Sequence, residues 1–504
     1  MNNTRYKPRL ASFVSLLAIS ALLAGQVLAQ ATSVILLIGD GMGPNQVKAG
    51  SIRWYGTDGK SAMQSMPVKG SLVTKNVKGE VTDSGAAGTA LATGYKTNNG
   101  MIAVSPDGKV LRTILEACRD SGKSVGVVAT STITHATPAS FSSHVKDRGT
   151  EYEIAGQMVA NRLNVIFGGG KDFFLAPRGE VYVGIDVLDG KGEKILSIKD
   201  KFDQAKYAEV ERGFLAPPGA AKASVWIWRG GSAVDAFLDE FSLVAKGGKA
   251  GKDSANLLVN PDFEKGDISG WNIWKDCEVA VDGGSKALKV AGGGGGDQGV
   301  TILPGGEFEF KYRVRVADAS EGPKRVAPWD AAGKAGYKRI ERRSELAGVK
   351  GKYVLGLFKP SSLEATPDEP TLPEMTGAAI RLLSANPKGF FLMVEGSQID
   401  WAPNDDPYFF REFKSLDDSV KAALDYATKN GNVLVVVTAD HETGGLQYEG
   451  TDAATLKLKW AGGGGHTATN TPVFAKGPGS EPFAGDHDNT DIPKLIAQAL
   501  GIKF

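Results

Sequence analysis

One serine, one arginine and a set of carboxylates and histidines carry most of the chemical potential of this 504-residue chain. Ser84 stands in VTDSGAAGTALATG at 81–94, after the short β-like run SLVTKNV and before a small-residue stretch of helical character. A serine at a helix start lies in the positive end of the peptide dipoles, which favours an alkoxide and oxyanions such as phosphate. The same position suits a plain N-cap serine, so position alone leaves both readings open. Asp40, Glu395, Asp400, Asp440 and His441 each lie at or just past the end of an apolar run, and His135 precedes Ala-Thr-Pro at 136–138. Only five histidines exist, the others being His144, His466 and His487. Asp with His suits zinc with open positions, whereas Asp, Glu and Thr oxygens suit magnesium. Two metals beside a serine nucleophile mean phosphoryl-type transfer.

The elements that must position these groups are legible in the pattern. VILLIGDG at 34–41, SVGVVAT at 124–130, GFFLMVEG at 389–396 and NVLVVVTADH at 432–441 are continuous apolar runs, as expected of strands buried on both faces of a parallel sheet. VLRTILEACRDSG at 110–122 and SLDDSVKAALDYATKNG at 415–431 supply amphipathic covering helices. The core is therefore α/β. In open α/β sheets ligands bind beyond the carboxyl ends of the strands, where the singled-out residues fall. An Asp there is also a common turn former, yet agreement at several strand ends favours a site.

The middle of the chain, about 176–320, changes to short alternating runs separated by Gly, Pro and Asp, the signature of an antiparallel sandwich. LLVNPDFEKGDISGWNIW at 257–274 resembles the first strands of a jelly-roll carbohydrate-binding module, and AVDAFLDEFSLV at 233–244 the last. The expected arrangement is a circularly permuted sandwich, with GGKAGKDSA at 247–255 joining the original termini and GGGGG at 292–296 a flexible turn. Trp226, Trp228, Trp271 and Trp274 would stack on sugars if exposed, but tryptophans in sandwiches are more often core. Cys118 and Cys277 have no metal-type spacing, and no disulfide between them is expected.

Arg5, Lys7 and Arg9 precede an apolar run, 13–28, that is too short to span a bilayer comfortably and ends in Val-Leu-Ala at 27–29. That predicts a signal peptide over 1–29 and a periplasmic or secreted chain beginning near Gln30, with no membrane span after cleavage. Without the leader, 55 basic residues face 57 acidic ones, so nothing calls for nucleic acid.

As a set, GDGMG at 39–43, VTDSGAAGTALATG, THATPASFSSHVKDR at 134–148, VIFGGGKDFF at 165–174, GFFLMVEGSQIDWA at 389–402, VVVTADHETGG at 435–445 and GGGGHTATNTPVFAKGPG at 462–479 resemble the alkaline phosphatases. The resemblance implies a three-layer sandwich with a central, mostly parallel sheet, formed by 30–175 and 321–504 around the inserted β-sandwich. It implies hydrolysis of phosphate monoesters through a phosphoserine at Ser84, with Arg148 clamping the phosphate oxygens. Asp40, Asp440 and His441 would bind one zinc, Asp400 and His466 another, and Asp40, Thr137 and Glu395 a magnesium. His135 and Trp401 stand where some members have Asp and Lys. A small phosphomonoester is the implied substrate, and a homodimer and a glycan at the insert are compatible partners.

One departure touches the metal site: four residues after Asp400, where the family has a histidine ligand, this chain has Asn404 within IDWAPNDDP, about two residues short. Asn404, Asp405 or Asp406 would then supply an oxygen, with His487 a distant substitute, and harder oxygen ligands would shift the metal preference. Two other functions compete. A phosphodiesterase or sulfatase of the same superfamily is disfavoured by the ADHETGG and GGHT blocks and by the lack of Pro and Arg after Ser84. A weakened enzyme acting as a polysaccharide-binding protein is supported only by the absent histidine.

Overall fold

The computed structural model describes residues 30–175, 181–204, 206–229, 235–247, 252–274, 277–291, 294–317 and 326–504. The expected leader, 1–29, and residues 248–251 of the expected joint lie outside the described residues.

Alternation inside one apolar run explains the core. In the strand Ser33–Gly39, Val34, Leu36 and Ile38 belong to one buried cluster and Ile35 and Leu37 to another, so both faces are covered. This strand lies inside a ten-stranded sheet ordered Lys338–Ile340, Val354–Leu357, Val165–Gly169, Ser124–Thr132, Phe390–Gly396, Ser33–Gly39, Val433–Thr438, Thr471–Lys476, Val68–Val73, Gly485–Asp488. Among these, only Thr471–Lys476 is antiparallel to its neighbours. Helices Ile114–Asp120, Ala136–Ser142, Glu151–Ala160 and Ile492–Leu500 cover one face, and Pro44–Tyr55, Leu372–Leu383 and Asp406–Asn430 cover the other. The result is the expected three-layer α/β fold.

The last of these helices departs from expectation, starting at Asp406 rather than near 415. Asp405 caps it by accepting the Tyr408 N–H, and Gly431 in the left-handed region closes it. Ile114–Asp120 opens with a capping box between Thr113 and Glu116.

The middle segment forms two antiparallel five-stranded sheets. One is ordered Asn272–Trp274, Gly295–Thr301, Ala220–Arg229, Val181–Asp189, Lys194–Phe202; the other Cys277–Asp282, Ser285–Val290, Ala236–Ala245, Glu307–Val316, Ala208–Leu215. Strands from both sides of 247–255 share each sheet: Glu307–Val316 lies between Ala236–Ala245 and Ala208–Leu215, and Gly295–Thr301 pairs with Ala220–Arg229. Phe241, Phe263, Phe310 and Tyr312 fill one buried cluster. Gly295 and Gly296, expected in a turn, are strand residues instead, because the ladder to Trp228 and Ile227 satisfies their backbone. Cys118 and Cys277 are unbridged. Among the described residues, no helix is long and apolar enough to cross a membrane.

Candidate active site

The three central strands deliver the carboxylates together. Ser33–Gly39 pairs in parallel with Phe390–Gly396 and Val433–Thr438, with Ile38 level with both Glu395 and Thr438. Asp40 and Asp440 therefore emerge at one level, with Glu395 two residues lower on the neighbouring strand at the same edge, and all three are fully buried. The turn after Asp40 needs glycine: at Gly41 φ is +71°, and a Cβ would sit 2.8 Å from both the Asp400 backbone and Thr443 Oγ1. The Gly41 and His441 amides donate to Asp440 Oδ1 at 3.2 and 2.9 Å, leaving Oδ2 to face Asp40 and His441.

Ser84 is the first residue of the helix Ser84–Thr93, whose cap is Asp83 and not Ser84. Asp83 Oδ1 accepts the Ala86 N–H at 2.9 Å, so the Ser84 hydroxyl is released from capping. Ser84 Oγ instead lies 3.2 Å from His441 Nε2. The small residues after it serve helix packing: a Cβ at Gly88 would meet Ser140 at 2.9 Å, so this helix lies close against Ala136–Ser142, which carries Thr137. Arg148 donates to Asp83 Oδ2 and to His135 Nε2, each at 2.9 Å. The half-exposed Trp401 ring stands edge-on to His135, 6.1 Å between centroids.

Three groups have ligand atoms within 4.8 Å of one another: Asp400, His441 and His466; Asp40, Asp440 and His441; Asp40, His135 and Glu395. His441 Nε2 is 3.3 Å from both Asp40 and Asp440, and its ring stacks on His466 at 3.6 Å. His466 Nδ1–H donates to the Thr82 carbonyl at 2.8 Å, which leaves the Nε2 lone pair facing Asp400 Oδ1, 3.6 Å away.

Whether these residues fit divalent cations is decided by what they lack among themselves. Both Asp40 oxygens, Asp440 Oδ2, Glu395 Oε1, Thr137 Oγ1 and His135 Nδ1 are buried without a hydrogen-bond partner. Orphaned buried carboxylate oxygens are costly unless a cation meets them. Burial, then the charges of Asp440, Asp400 and Glu395, pushes the Asp40 carboxyl well above its usual range. Burial likewise pushes Glu395 up to about 7. Burial holds His441 and His135 down at about 3, so both imidazoles are neutral; His441 keeps a lone pair for a cation, whereas His135 Nε2 spends its own on Arg148. The set fits divalent cations.

Among the described residues, Asp405 and Asp406 join none of these groups. Asn404 is exposed with φ +69°, Asp405 is spent on the helix cap, and Asp406 accepts the Trp460 Nε1–H at 3.0 Å. His487 is also apart, donating to the Ala484 carbonyl on an edge strand, and His144 pairs with Glu116 at 3.2 Å. Beside Asp400, the residue that does arrive is Thr443, whose hydroxyl hydrogen-bonds Asp400 Oδ1 and lies 3.2 Å from His441 Nδ1.

Sequence reasoning missed Asp83, Thr443 and Glu442. Asp83 is adjacent to Ser84 and an acidic residue before a nucleophile was a usable signal. Thr443 and Glu442 sit inside ADHETGG, where Glu442 accepts Gln46 Nε2–H at 2.7 Å and the Leu446 N–H at 3.1 Å, bracing the loop.

The α/β fold thus sets a buried serine beside groups of metal-type ligands and an arginine held by a carboxylate. The alkaline phosphatase family model matches residues 31–210 and 285–461, and the chain belongs to the alkaline phosphatase family. It is 27% identical to alkaline phosphatase 3 of Bacillus subtilis, covering 93% of this chain and 88% of the relative. It is 29% identical to the streptomycin-6-phosphate phosphatase of Streptomyces griseus, covering 94% and 92%. Alkaline phosphatase of the Antarctic bacterium TAB5 has the same fold, with a TM-score of 0.59 at 24% identity over 95% of this chain and all of that one.

Proposed function

We propose that this chain hydrolyses phosphate monoesters through a covalent phosphoserine at Ser84. Family membership supports phosphomonoester hydrolysis, and the observation that carries the finer reading is Ser84 Oγ at 3.2 Å from His441 Nε2, at the rim of the Asp40 and Asp440 cluster. Ser84 Oγ forms the new O–P bond as the ester oxygen leaves; water then cleaves that bond, releasing phosphate and restoring the serine. Arg148, aimed by Asp83 and His135, holds the non-reacting oxygens in a bidentate clamp. Asp40, Asp440 and His441 would hold one zinc, Asp400 and His466 a second, and Asp40, Thr137 and Glu395, with His135 beside them, a magnesium. Such cations lower the charge cost of the serine alkoxide and of the leaving oxygen. Variants of the TAB5 enzyme in which a histidine is replaced by Asp or Glu hold Mg in a site called M3, which supports metal cofactors in this fold.

The same reading takes 30–175 and 321–504 as the catalytic unit, 176–320 as a permuted inserted sandwich, and 1–29 as a leader that exports the chain to the periplasm or medium. The deciding experiment is hydrolysis of a chromogenic aryl phosphate by metal-stripped protein restored separately with zinc, magnesium, cobalt or calcium. Restored turnover that Ser84→Ala abolishes, with a phosphopeptide containing Ser84 trapped by mass spectrometry, is the expected result. Silence with every ion would sink it.

A further inference from the structure

Arg148 reaches the site from a turn, and a second side chain of that turn crosses to the same strand end. The Arg148 N–H donates to the Gly100 carbonyl at 2.8 Å, and its guanidinium donates to Asp83 and His135. Just beyond it, Glu151 opens the helix Glu151–Ala160, and its Oε2 accepts the hydroxyl of Thr132 at 2.8 Å and that of Thr134 at 2.5 Å. Thr132 ends the strand Ser124–Thr132, Thr134 is fully buried, and His135 follows it directly. Two ties therefore run side by side from the turn at 148–151 to the strand end at 132–135: Arg148 to His135, and Glu151 to the two threonines.

The strand end is the fixed side of this pair. Thr132 donates its N–H to Ser362 Oγ at 3.1 Å, and its carbonyl accepts the His135 N–H at 2.9 Å, closing the turn that carries His135. The neighbouring loop is pressed against it, since a Cβ at Gly170, where φ is +85°, would stand 2.9 Å from the Thr132 Cβ. The arginine side is a surface turn closed by the Thr150 N–H on the Asp147 carbonyl at 3.1 Å. Asp83 and His135 hold the far end of the arginine side chain, and Glu151 holds the backbone from which it extends. A bidentate clamp needs both N–H vectors aimed at the phosphate oxygens, and a misplacement of about 1 Å can cost on the order of a hundredfold.

An acidic residue in the first turn of a helix also favours the positive end of the peptide dipoles. That account needs only the charge, whereas the tie to the threonines needs one oxygen atom, because both hydroxyls meet the same Oε2. A glutamine supplies such an oxygen, with two lone pairs, and no charge. Burial raises the Glu151 carboxyl above its usual range, and Thr134, Thr132 and the charge of Arg148 pull against that rise.

We propose that Glu151 is a positioning residue for phosphate binding: by tying the 148–151 turn to Thr132 and Thr134, it holds Arg148 in register with His135 and Ser84. This rests on the phosphatase reading and names what sets its clamp. The test uses the full mature chain loaded with zinc and magnesium, and reads kcat and KM for a chromogenic aryl phosphate, the dissociation constant of inorganic phosphate by calorimetry, and Tm. Glu151→Ala should raise KM and the phosphate dissociation constant together, each about tenfold, with kcat changed less than about twofold. Glu151→Gln should return both constants to within about threefold of the wild type. Because Glu151→Ala also loosens a helix start, Thr132→Val with Thr134→Val is a second route: it removes both donors at nearly constant volume and should shift the same two constants. A change confined to Tm, a fall in kcat at unchanged KM, or Glu151→Gln as impaired as Glu151→Ala would overturn the proposal. Wild-type protein that binds phosphate without turnover would sink the phosphoserine reading alone, the tie then being judged on the dissociation constants. Wild-type protein that binds no phosphate would overturn both.

Discussion

Asp83 and Arg148 meet at 2.9 Å, and the carboxylate that holds the guanidinium is also the cap of the helix that Ser84 begins. Its Oδ2 takes the Gly100 N–H at 2.9 Å as well. One side chain therefore sets the arginine and the nucleophile in a common frame. Asp83→Asn keeps the size and part of the capping but removes the charge. A charge-assisted hydrogen bond is worth about 1.5–3 kcal/mol, so kcat/KM for an aryl phosphate should fall roughly ten- to a hundredfold. Product inhibition by inorganic phosphate should weaken alongside it. A variant with unaltered phosphate inhibition would show that Arg148 needs no such partner.

The buried carboxylates make a metal-free form sensitive to pH in a stated direction. Glu395, moved by burial from 4.5 up to about 7, binds more protons folded than unfolded between those values. Its contribution to stability is thus complete below about 4.5 and is lost as pH rises through 7. Thermal melts of chelator-treated protein should show Tm falling across that window. Glu395→Gln should flatten that slope, and added zinc with magnesium at pH 8 should recover the loss.

Metal content should be uneven across the clusters. His441 lies 3.3 Å from both Asp40 and Asp440, whereas neither Asp405 nor Asp406 joins the group of Asp400, His441 and His466. During stepwise dialysis against a weak chelator, one ion should leave first, and elemental analysis should find His466→Ala short of that same ion only. Loss of all ions together in the wild type would contradict a weakened outer site.

Gly50 lies on the helix Pro44–Tyr55, where a methyl group would run into the Phe413 ring of Asp406–Asn430. Gly to Ala gains up to about 1 kcal/mol of helix propensity, while overpacking costs about 1–3 kcal/mol. Packing should win, so Gly50→Ala lowers Tm by a few degrees, and Phe413→Leu in the same chain restores part of it. A rise in Tm for the single variant would mean the helix pair yields freely.

The strands Ser33–Gly39, Ser124–Thr132, Phe390–Gly396 and Val433–Thr438 were readable because a strand covered on both faces must be apolar at every position, a local constraint. Asp40, Glu395 and Asp440 followed from them, since polar residues ending such runs have few bland explanations when several agree. Ser84, Arg148 and His466 were readable through the family's blocks. The tertiary structure alone decided that Asp83, not Ser84, caps the helix and that Arg148 finds it across 65 positions of sequence. It alone left Asn404 exposed just before the helix Asp406–Asn430, which begins earlier than its amphipathic pattern shows. In the sandwich the alternating runs marked strands but not partners: pairing Gly295–Thr301 with Ala220–Arg229 sets which tryptophans share a face, and register between distant strands has no local signature. Burial of Trp271 and exposure of Trp228 and Trp274 follow from that register, which no residue type declares by itself.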